Sequence, residues 1–408
     1  MSGAARVGAT YSAAERGDED AWVTSPPGRI AIVHDWLKFY SGAEQVLEQM
    51  LKALPSADLF AIADFLQPRD RAFLRGRPVR TTFVQRLPFA SSKYRGYLPL
   101  MPLAIESIDL SGYDLVISRA HAVAKGVITG PNQLHICMCY SPMRYAWDLQ
   151  HQYLVESGLH KGVRGWMARL MLHKMRNWDV RSATGVDHFI AISRYIARRI
   201  EKAYRRPASV IYPPVNTEYF VPGTKKDDFF VTASRLVPYK RVDLIAQAFR
   251  SLPDKRLIVV GDGPEMPRVR KAAGPNVQVM GWQPIEVVRD LLQRARAFVY
   301  AAEEDFGIAV VEAQACGTPV IAYGVGGSTE TVVGWQQDRA LPAEPTGVFF
   351  QEQSTSSIVE AICAFERDVT ISPTACRVHA TRFATAKFQD EFTAFLRARW
   401  NELHRPSS

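Results

Sequence analysis

The 408-residue sequence predicts an α/β protein built from two consecutive doubly wound units. Short, β-branched apolar runs alternate with longer amphipathic stretches, the pattern of a parallel sheet covered by helices. That pattern restarts after Pro213-Pro214-Val215-Asn216, a stretch that cannot continue a helix and marks a connection. The length also exceeds what one hydrophobic core usually serves, so two domains are expected.

Residues 1–28 carry Glu15, Arg16, Asp18, Glu19 and Asp20 and no apolar signal-peptide core, and read as a flexible tail without catalytic content. The first domain, 29–215, holds candidate strands Arg29–His34, Asp114–Ile117, Leu134–Tyr140 and His188–Ile192. Each ends at polar or turn-forming residues, where doubly wound sheets place their ligands. The second domain, 216–382, holds Phe229–Ala233, Arg256–Val260, Val277–Met280, Ala297–Ala301 and Pro319–Tyr323. Residues 383–408 read as a closing helix and tail, with Phe388, Phe392 and Phe395 at helical spacing. No run approaches the roughly 18 to 20 apolar residues of a membrane-spanning helix, and the protein is expected to stay in the cytoplasm.

A hydrophobic content of 47% with 22% charged residues excludes disorder. Five cysteines form neither a C-x-x-C pair nor a zinc spacing, so buried thiols are expected. The net charge of +9 is uneven. Residues 29–222 hold 26 Lys and Arg against 15 Asp and Glu, whereas residues 223–408 hold 22 of each. The first half therefore expects an anionic partner.

Four clusters in the second half suggest a grip on a nucleotide diphosphate. Arg235 and Lys240 follow a strand and, five residues apart, can converge on one polyanion. Gly261 and Gly263 form a tight turn after the strand ending at Val260, permitting close backbone approach. Glu304 and Glu312 bracket Phe306-Gly307-Ile308, one at a strand tip and the other a turn inside the next helix. Such a pair can hold two sets of hydroxyls on one elongated ligand. Gly326 and Gly327, followed by Ser328 and Thr329, suggest a capped helix whose amides favour phosphate.

In this order, Ser234-Arg235 with Lys240-Arg241, Gly261-Asp262-Gly263-Pro264, the Glu304–Ala313 segment and Gly326-Gly327 with Glu330 resemble the retaining glycosyltransferases of family 4. The resemblance covers residues 29–400 and implies the GT-B fold, two Rossmann-like domains facing a central cleft. It implies that Arg235 and Lys240 neutralise the donor diphosphate. It assigns Glu304 to the donor sugar, Glu312 to the ribose hydroxyls, and the amides of Gly326 and Gly327 to sugar and phosphate. Met280-Gly281-Trp282 would line the base pocket, and Gly261, Gly263, Phe306, Gly307 and Ile308 would be further donor contacts.

In the first half, the resemblance sets the loop from Asp35 through Ser41 and Gly42 against the acceptor and the donor phosphates. Ser41 stands where the family usually has the first of two glycines. His121 falls where the family has a histidine facing the transferred sugar. Tyr140-Ser141-Pro142-Met143-Arg144-Tyr145-Ala146-Trp147 resembles a segment of bacterial mannosyltransferases that build O-antigen and exopolysaccharide repeats. It makes Arg144 an acceptor-phosphate ligand, although the subgroup's histidine is replaced here by Tyr140 or Ser141. Residues 161–181 interleave Lys161, Arg164, Arg169, Lys174, Arg176 and Arg181 with Trp166, Leu170, Met171 and Trp178. They suit an interfacial helix on anionic lipid or a core helix with a charged outer face.

The expected reaction moves a hexose, with mannose from GDP-mannose as leading donor and UDP-hexoses as the alternative, onto a lipid-diphosphate-linked saccharide. No cofactor and no metal are expected, since no Asp-x-Asp motif accompanies the site. The expected partners are a nucleotide sugar, the lipid-linked acceptor and the anionic inner face of the cytoplasmic membrane, with no nucleic acid. Rival functions fit less well. A nicotinamide-dependent oxidoreductase would carry G-x-G-x-x-G after the first strand, where Asp35-Trp36-Leu37 stands. A sugar-nucleotide epimerase would need a further acid/base set. A non-catalytic basic binder would account for the first-half charge alone.

Overall fold

The computed structural model describes residues 28–337 and 339–405. The reading of residues 1–28 as a tail falls, up to residue 27, outside the described residues.

Two parallel seven-stranded sheets, each flanked by helices, make up the fold. The first contains β1 (Ile30–Leu37), β2 (Asp58–Asp64), β3 (Val79–Thr81), β4 (Leu115–Ala120), β5 (Leu134–Cys139), β6 (His188–Ala191) and β7 (Ala208–Val210), in the order β3-β2-β1-β4-β5-β6-β7. The second contains β8 (Phe230–Ala233), β9 (Leu257–Val260), β10 (Val277–Gly281), β11 (Ala297–Tyr300), β12 (Val320–Tyr323), β13 (Gly334–Trp335) and β14 (Gly347–Phe350), in the order β10-β9-β8-β11-β12-β14-β13. Strand order reverses between β1 and β4 in one sheet and between β8 and β11 in the other. Open parallel sheets bind ligands outside the carboxyl ends of the strands at such a switch point.

The inner strands are buried on both faces, and β9 and β11 read as continuous apolar runs, as parallel sheets require, whereas the edge strands β3 and β10 are largely open. Helix Gly42–Ala53 turns Val46, Leu47, Met50 and Leu51 toward the interior. Helix Val242–Arg250 does the same with Ile245, Ala246 and Phe249, which join Phe230, Val259 and Ile321 in one core. By compactness, the described residues up to Cys137 group with Arg181–His188 and those from Gln389 onward, and Met138–Val180 groups with Phe189–Phe388.

The structure adds strands that the sequence pattern missed. In β2, Ala61 and Ala63 alternate with Phe60 and Ile62, and an alanine-rich apolar run of this length suits a buried helix equally well. β3, β7 and β13 span two or three residues each, below the length at which periodicity is visible. The closing helix is Thr385–Leu403. Its buried stripe is Phe388, Phe392, Leu396 and Trp400, and Phe395 stands at its margin against the ring of His188. None of the five cysteines forms a disulfide, and Cys363, expected to be buried, is only partly so.

Candidate active site

At the switch point of the second sheet, the loop after β8 carries Lys240 on a 3-10 turn and the loop after β11 carries Glu304. The Lys240 ammonium donates to the Glu304 carboxylate and, at 2.6 Å, to the hydroxyl of Tyr300. The two side chains are only 13% and 14% exposed. Burial alone would lower the lysine pKa, but Glu304, Tyr300 and Tyr239 hold it well above its ordinary value. Burial likewise pushes Glu304 up, and Lys240 and Arg144 outweigh it and hold the carboxyl below its usual range. Both groups are therefore charged near neutral pH.

The glycine loop after β12 lies directly on the backbone of residues 304–306. The amide of Gly327 donates to the carbonyl of Glu304 at 2.6 Å, and Gly326 has φ +80°. A Cβ on Gly326 would stand 2.5 Å from the Glu304 oxygen, and one on Gly327 2.5 Å from Cα of Phe306. This contact fixes the depth of Glu304 beside Lys240.

A second charge cluster adjoins the first. Arg144 pairs with Asp305 and lies 5.6 Å from the centre of the Tyr239 ring. Asp305 is also 3.4 Å from Arg199, which pairs with Asp148. Tyr195 donates to Glu303, and the Glu330 carboxylate accepts from the amides of Arg194 and Tyr195, both at 2.8 Å. Three cations thus face a compact set of carboxylates, an arrangement that an incoming polyanion can reorganise by charge competition.

At the switch point of the first sheet, Asp35 lies within β1 and is fully buried. Its two oxygens accept from the backbone amides of His121, Ala122, Val123 and Ala124 at 2.7–3.0 Å. His121 Nδ1 lies 2.9 Å from Asp35 Oδ2, and the Trp36 ring stands edge-on to the imidazole with centroids 4.6 Å apart. A carboxylate only accepts, so Nδ1 carries the proton and Nε2 is left as the acceptor of the neutral ring. Glu44, in the first turn of helix Gly42–Ala53, accepts from the amide and the hydroxyl of Ser41. Behind it, buried His34 lies 3.6 Å from Glu44 and 3.3 Å from buried Arg119.

Two family models match consecutive parts of the chain. "Glycosyltransferase Family 4" matches residues 40–219 and "Glycosyl transferases group 1" matches residues 216–380. The chain belongs to the family 4 glycosyltransferases.

Among solved structures, this glycosyltransferase resembles Anabaena HepE in complex with UDP, with a TM-score of 0.63 and 16% identity over 91% of this chain and 100% of that one. It also resembles the sucrose-phosphate synthase of Thermosynechococcus elongatus, with a TM-score of 0.65 and 17% identity over 92% and 98%. These likenesses establish the GT-B fold. Among curated proteins, it is 31% identical over 180 residues to a GDP-mannose-dependent monoacylated alpha-(1-6)-phosphatidylinositol monomannoside mannosyltransferase of Corynebacterium glutamicum, covering 36% of this chain and 47% of that protein. It is 30% identical over 158 residues to an uncharacterised glycosyltransferase of Methanocaldococcus jannaschii, covering 37% and 44%. The matched stretch spans about half the length of these relatives.

Within one compact unit, the glycosyltransferase brings together Lys240, Glu304, Arg144, Gly326 and Gly327. Within the other, it brings together Asp35 and His121, and Ser41 and Gly42. Arg235 is exposed on the same loop as Lys240. Glu312 stands one turn inside helix Ile308–Ala315, and burial alone raises its carboxyl pKa to about 7. Gly261 and Gly263 lie under the loop after β8, and Trp282 is 69% exposed beyond β10.

Several local expectations need correction. Phe306, expected as a donor contact, is 2% exposed and packs in one cluster with the rings of Tyr212 and Phe383. Gly307 has φ +91° and starts the helix that Ile308 opens, so both shape the loop. The helix expected after Gly327 is only Ser328–Thr331, too short for a useful dipole, and no side chain caps it. The Gly327 amide, expected to face sugar and phosphate, is taken by the Glu304 carbonyl. Asp35 is enclosed, and its oxygens hold residues 121–124.

The structure adds Asp305, Arg199, Tyr239, Tyr300 and Glu44 to these clusters. Arg144 and Asp305 are 161 positions apart, and no local pattern announces such a pair. Glu44 alone carried a signal: a serine followed three residues later by a glutamate at a helix start.

Proposed function

We propose that the chain transfers a hexose, with mannose from GDP-mannose as leading donor, onto a hydroxyl of a lipid-diphosphate-linked saccharide, with retention at the anomeric carbon. The observation that carries this reading is the buried Lys240–Glu304 pair at the switch point of the second sheet. As the diphosphate leaves, negative charge develops, and buried Lys240 with exposed Arg235 stabilises it. Glu304, held ionised by Lys240, accepts from sugar hydroxyls. Glu312 takes the ribose hydroxyls, and His121, oriented by Asp35, presents Nε2 to the transferred sugar. One carboxylate is assigned beside the anomeric carbon, whereas double displacement needs two flanking the bond. Retention therefore runs through attack from the leaving-group face. No cofactor takes part, and protein cations serve the diphosphate in place of a metal.

The mannose assignment is supported by the GDP-mannose dependence named for the Corynebacterium glutamicum relative, and the acceptor assignment by that relative's lipid acceptor. Among the described residues, no helix is long and apolar enough to cross a membrane. Peripheral contact with the inner face of the cytoplasmic membrane is supported by helix Gly162–Ala183, whose Val163, Trp166, Met167 and Leu170 form an exposed stripe beside Arg164 and Arg169.

The test is thermal unfolding with GDP, UDP and their hexose conjugates, followed by transfer of radiolabelled sugar to membrane lipid extract. A ligand that binds only the folded state must stabilise it. GDP and GDP-mannose should raise the melting temperature and label should enter the lipid fraction. A response to UDP compounds alone would move the donor to a UDP-hexose. No nucleotide response, with salt-sensitive binding of RNA, would replace the transferase by a basic binding protein.

A further inference from the structure

Between Arg71 and Ile105 the sequence contains seven cations and not one aspartate or glutamate. In the structure, the turns and short helices Phe83–Arg86, Ala90–Lys93, Tyr94–Leu100 and Met101–Glu106 of this segment pack on one another. They face inward with Val84, Ala90, Tyr94, Met101, Ala104 and Ile105. Their outer side carries Phe89 (74% exposed), Leu103 (62%), Leu100 (41%) and Phe83 (39%). Arg86, Lys93 and Arg95 are exposed beside them, and none is ion-paired among the described residues. The Lys93 ammonium sits 5.6 Å from the Phe89 ring centre. Lys38, from the loop after β1, donates to the carbonyl of Ser91 at 2.6 Å and so ties this layer to the chain that leads into Ser41 and Gly42.

Large apolar side chains standing among unpaired cations are poorly served by water and well served by an anionic interface. A membrane surface takes the rings and leucines at the acyl boundary and the cations at the headgroups. We propose that this layer, whose exposed face between Phe83 and Leu103 carries cations and no acid, is a lipid-docking surface for anionic phospholipid, with Phe83, Phe89, Leu100 and Leu103 as the inserted residues and Arg86, Lys93 and Arg95 as the headgroup contacts. The proposal rests on the membrane-associated reading above and adds a surface separate from helix Gly162–Ala183.

Flotation of the full chain with phosphatidylcholine vesicles, with and without phosphatidylglycerol, tests it. The parent protein should float with the mixed vesicles and much less with phosphatidylcholine alone, and salt should weaken it. Phe89→Ser with Leu103→Ser, and separately Lys93→Glu with Arg95→Glu, should each lower the partition on the order of tenfold, since each surface cation or buried apolar group contributes several-fold. Their melting curves should stay as in the parent. Parent-like partition in both variants, with loss of flotation in Trp166→Ser with Met167→Ser, would overturn the proposal and leave the membrane reading in place. No flotation of the parent would overturn both. A concentration-dependent dimer that Phe89→Ser with Leu103→Ser dissolves while flotation persists would assign the surface to a second copy instead.

Discussion

His121 donates its Nδ1 proton to Oδ2 of Asp35 across 2.9 Å, and four consecutive amides converge on the same buried carboxylate. Burial pushes the Asp35 carboxyl up, but His121 and these hydrogen bonds pull it well below the usual range. A carboxyl depressed in the folded state contributes stability above its unfolded pKa of about 3.9, and that stability is lost as pH falls toward the folded value. Asp35→Asn should cost about 3 kcal/mol at pH 7, measured by urea denaturation, and distinctly less in acid. Equal losses at neutral and acid pH would refute the assignment. Turnover should fall as well, through a misoriented His121.

Lys240→Met leaves Glu304 buried without its cation. Stability should drop by about 3–5 kcal/mol, and turnover by on the order of 10²–10³. Adding Glu304→Gln removes the stranded charge, so the double variant should regain most of the stability and none of the turnover. A single variant that melts like the parent would show that the pair does not support the fold.

Glu312 sets a pH dependence of the opposite sense. Its carboxyl, raised by burial to about 7, binds a proton in the folded state that the unfolded chain has already released. Its contribution to stability therefore declines as pH rises from the ordinary carboxyl range to about 7. The ionised form is the better acceptor for ribose hydroxyls, so the thermal shift caused by nucleotide should grow across the same window. Glu312→Gln should abolish both trends, which melting curves at a series of pH values will reveal.

Gly261 has φ +133°, and a Cβ there would lie 1.8 Å from the carbonyl oxygen of Ser234. Gly261→Ala must displace the loop that carries Arg235 and Lys240. The expected loss is roughly 2–4 kcal/mol, together with weaker nucleotide binding. Gly96→Ala, where a Cβ meets nothing within 4 Å, should leave the melting temperature nearly unchanged. Similar behaviour of the two variants would contradict this account.

The sequence exposed those parts of the molecule whose determinants are local. Arg235, Lys240, Glu304 and Glu312 follow strands in chain order, and strand ends are where a doubly wound sheet collects its ligands. What it hid depends on register and distance. Asp35 lies inside β1 rather than after it, because the strand runs three residues beyond His34. Its task became visible only when β4 placed residues 121–124 beside it. Phe306 reads like a ligand contact because it sits within a motif, yet Tyr212 and Phe383 close over it. Asp305 passed as a spacer until Arg144 and Arg199 met it across the fold.

The hydrogen bonds from Ser41 to Glu44 have a consequence for what the first sheet can attract. A helix of twelve residues such as Gly42–Ala53 begins with the equivalent of about half a positive charge, normally an invitation to phosphate. Glu44 sits within that field and cancels much of it from inside the chain. With buried Arg119 donating to the carbonyl of Ala43, the start of this helix carries its charge and its counter-charge together, inside the chain.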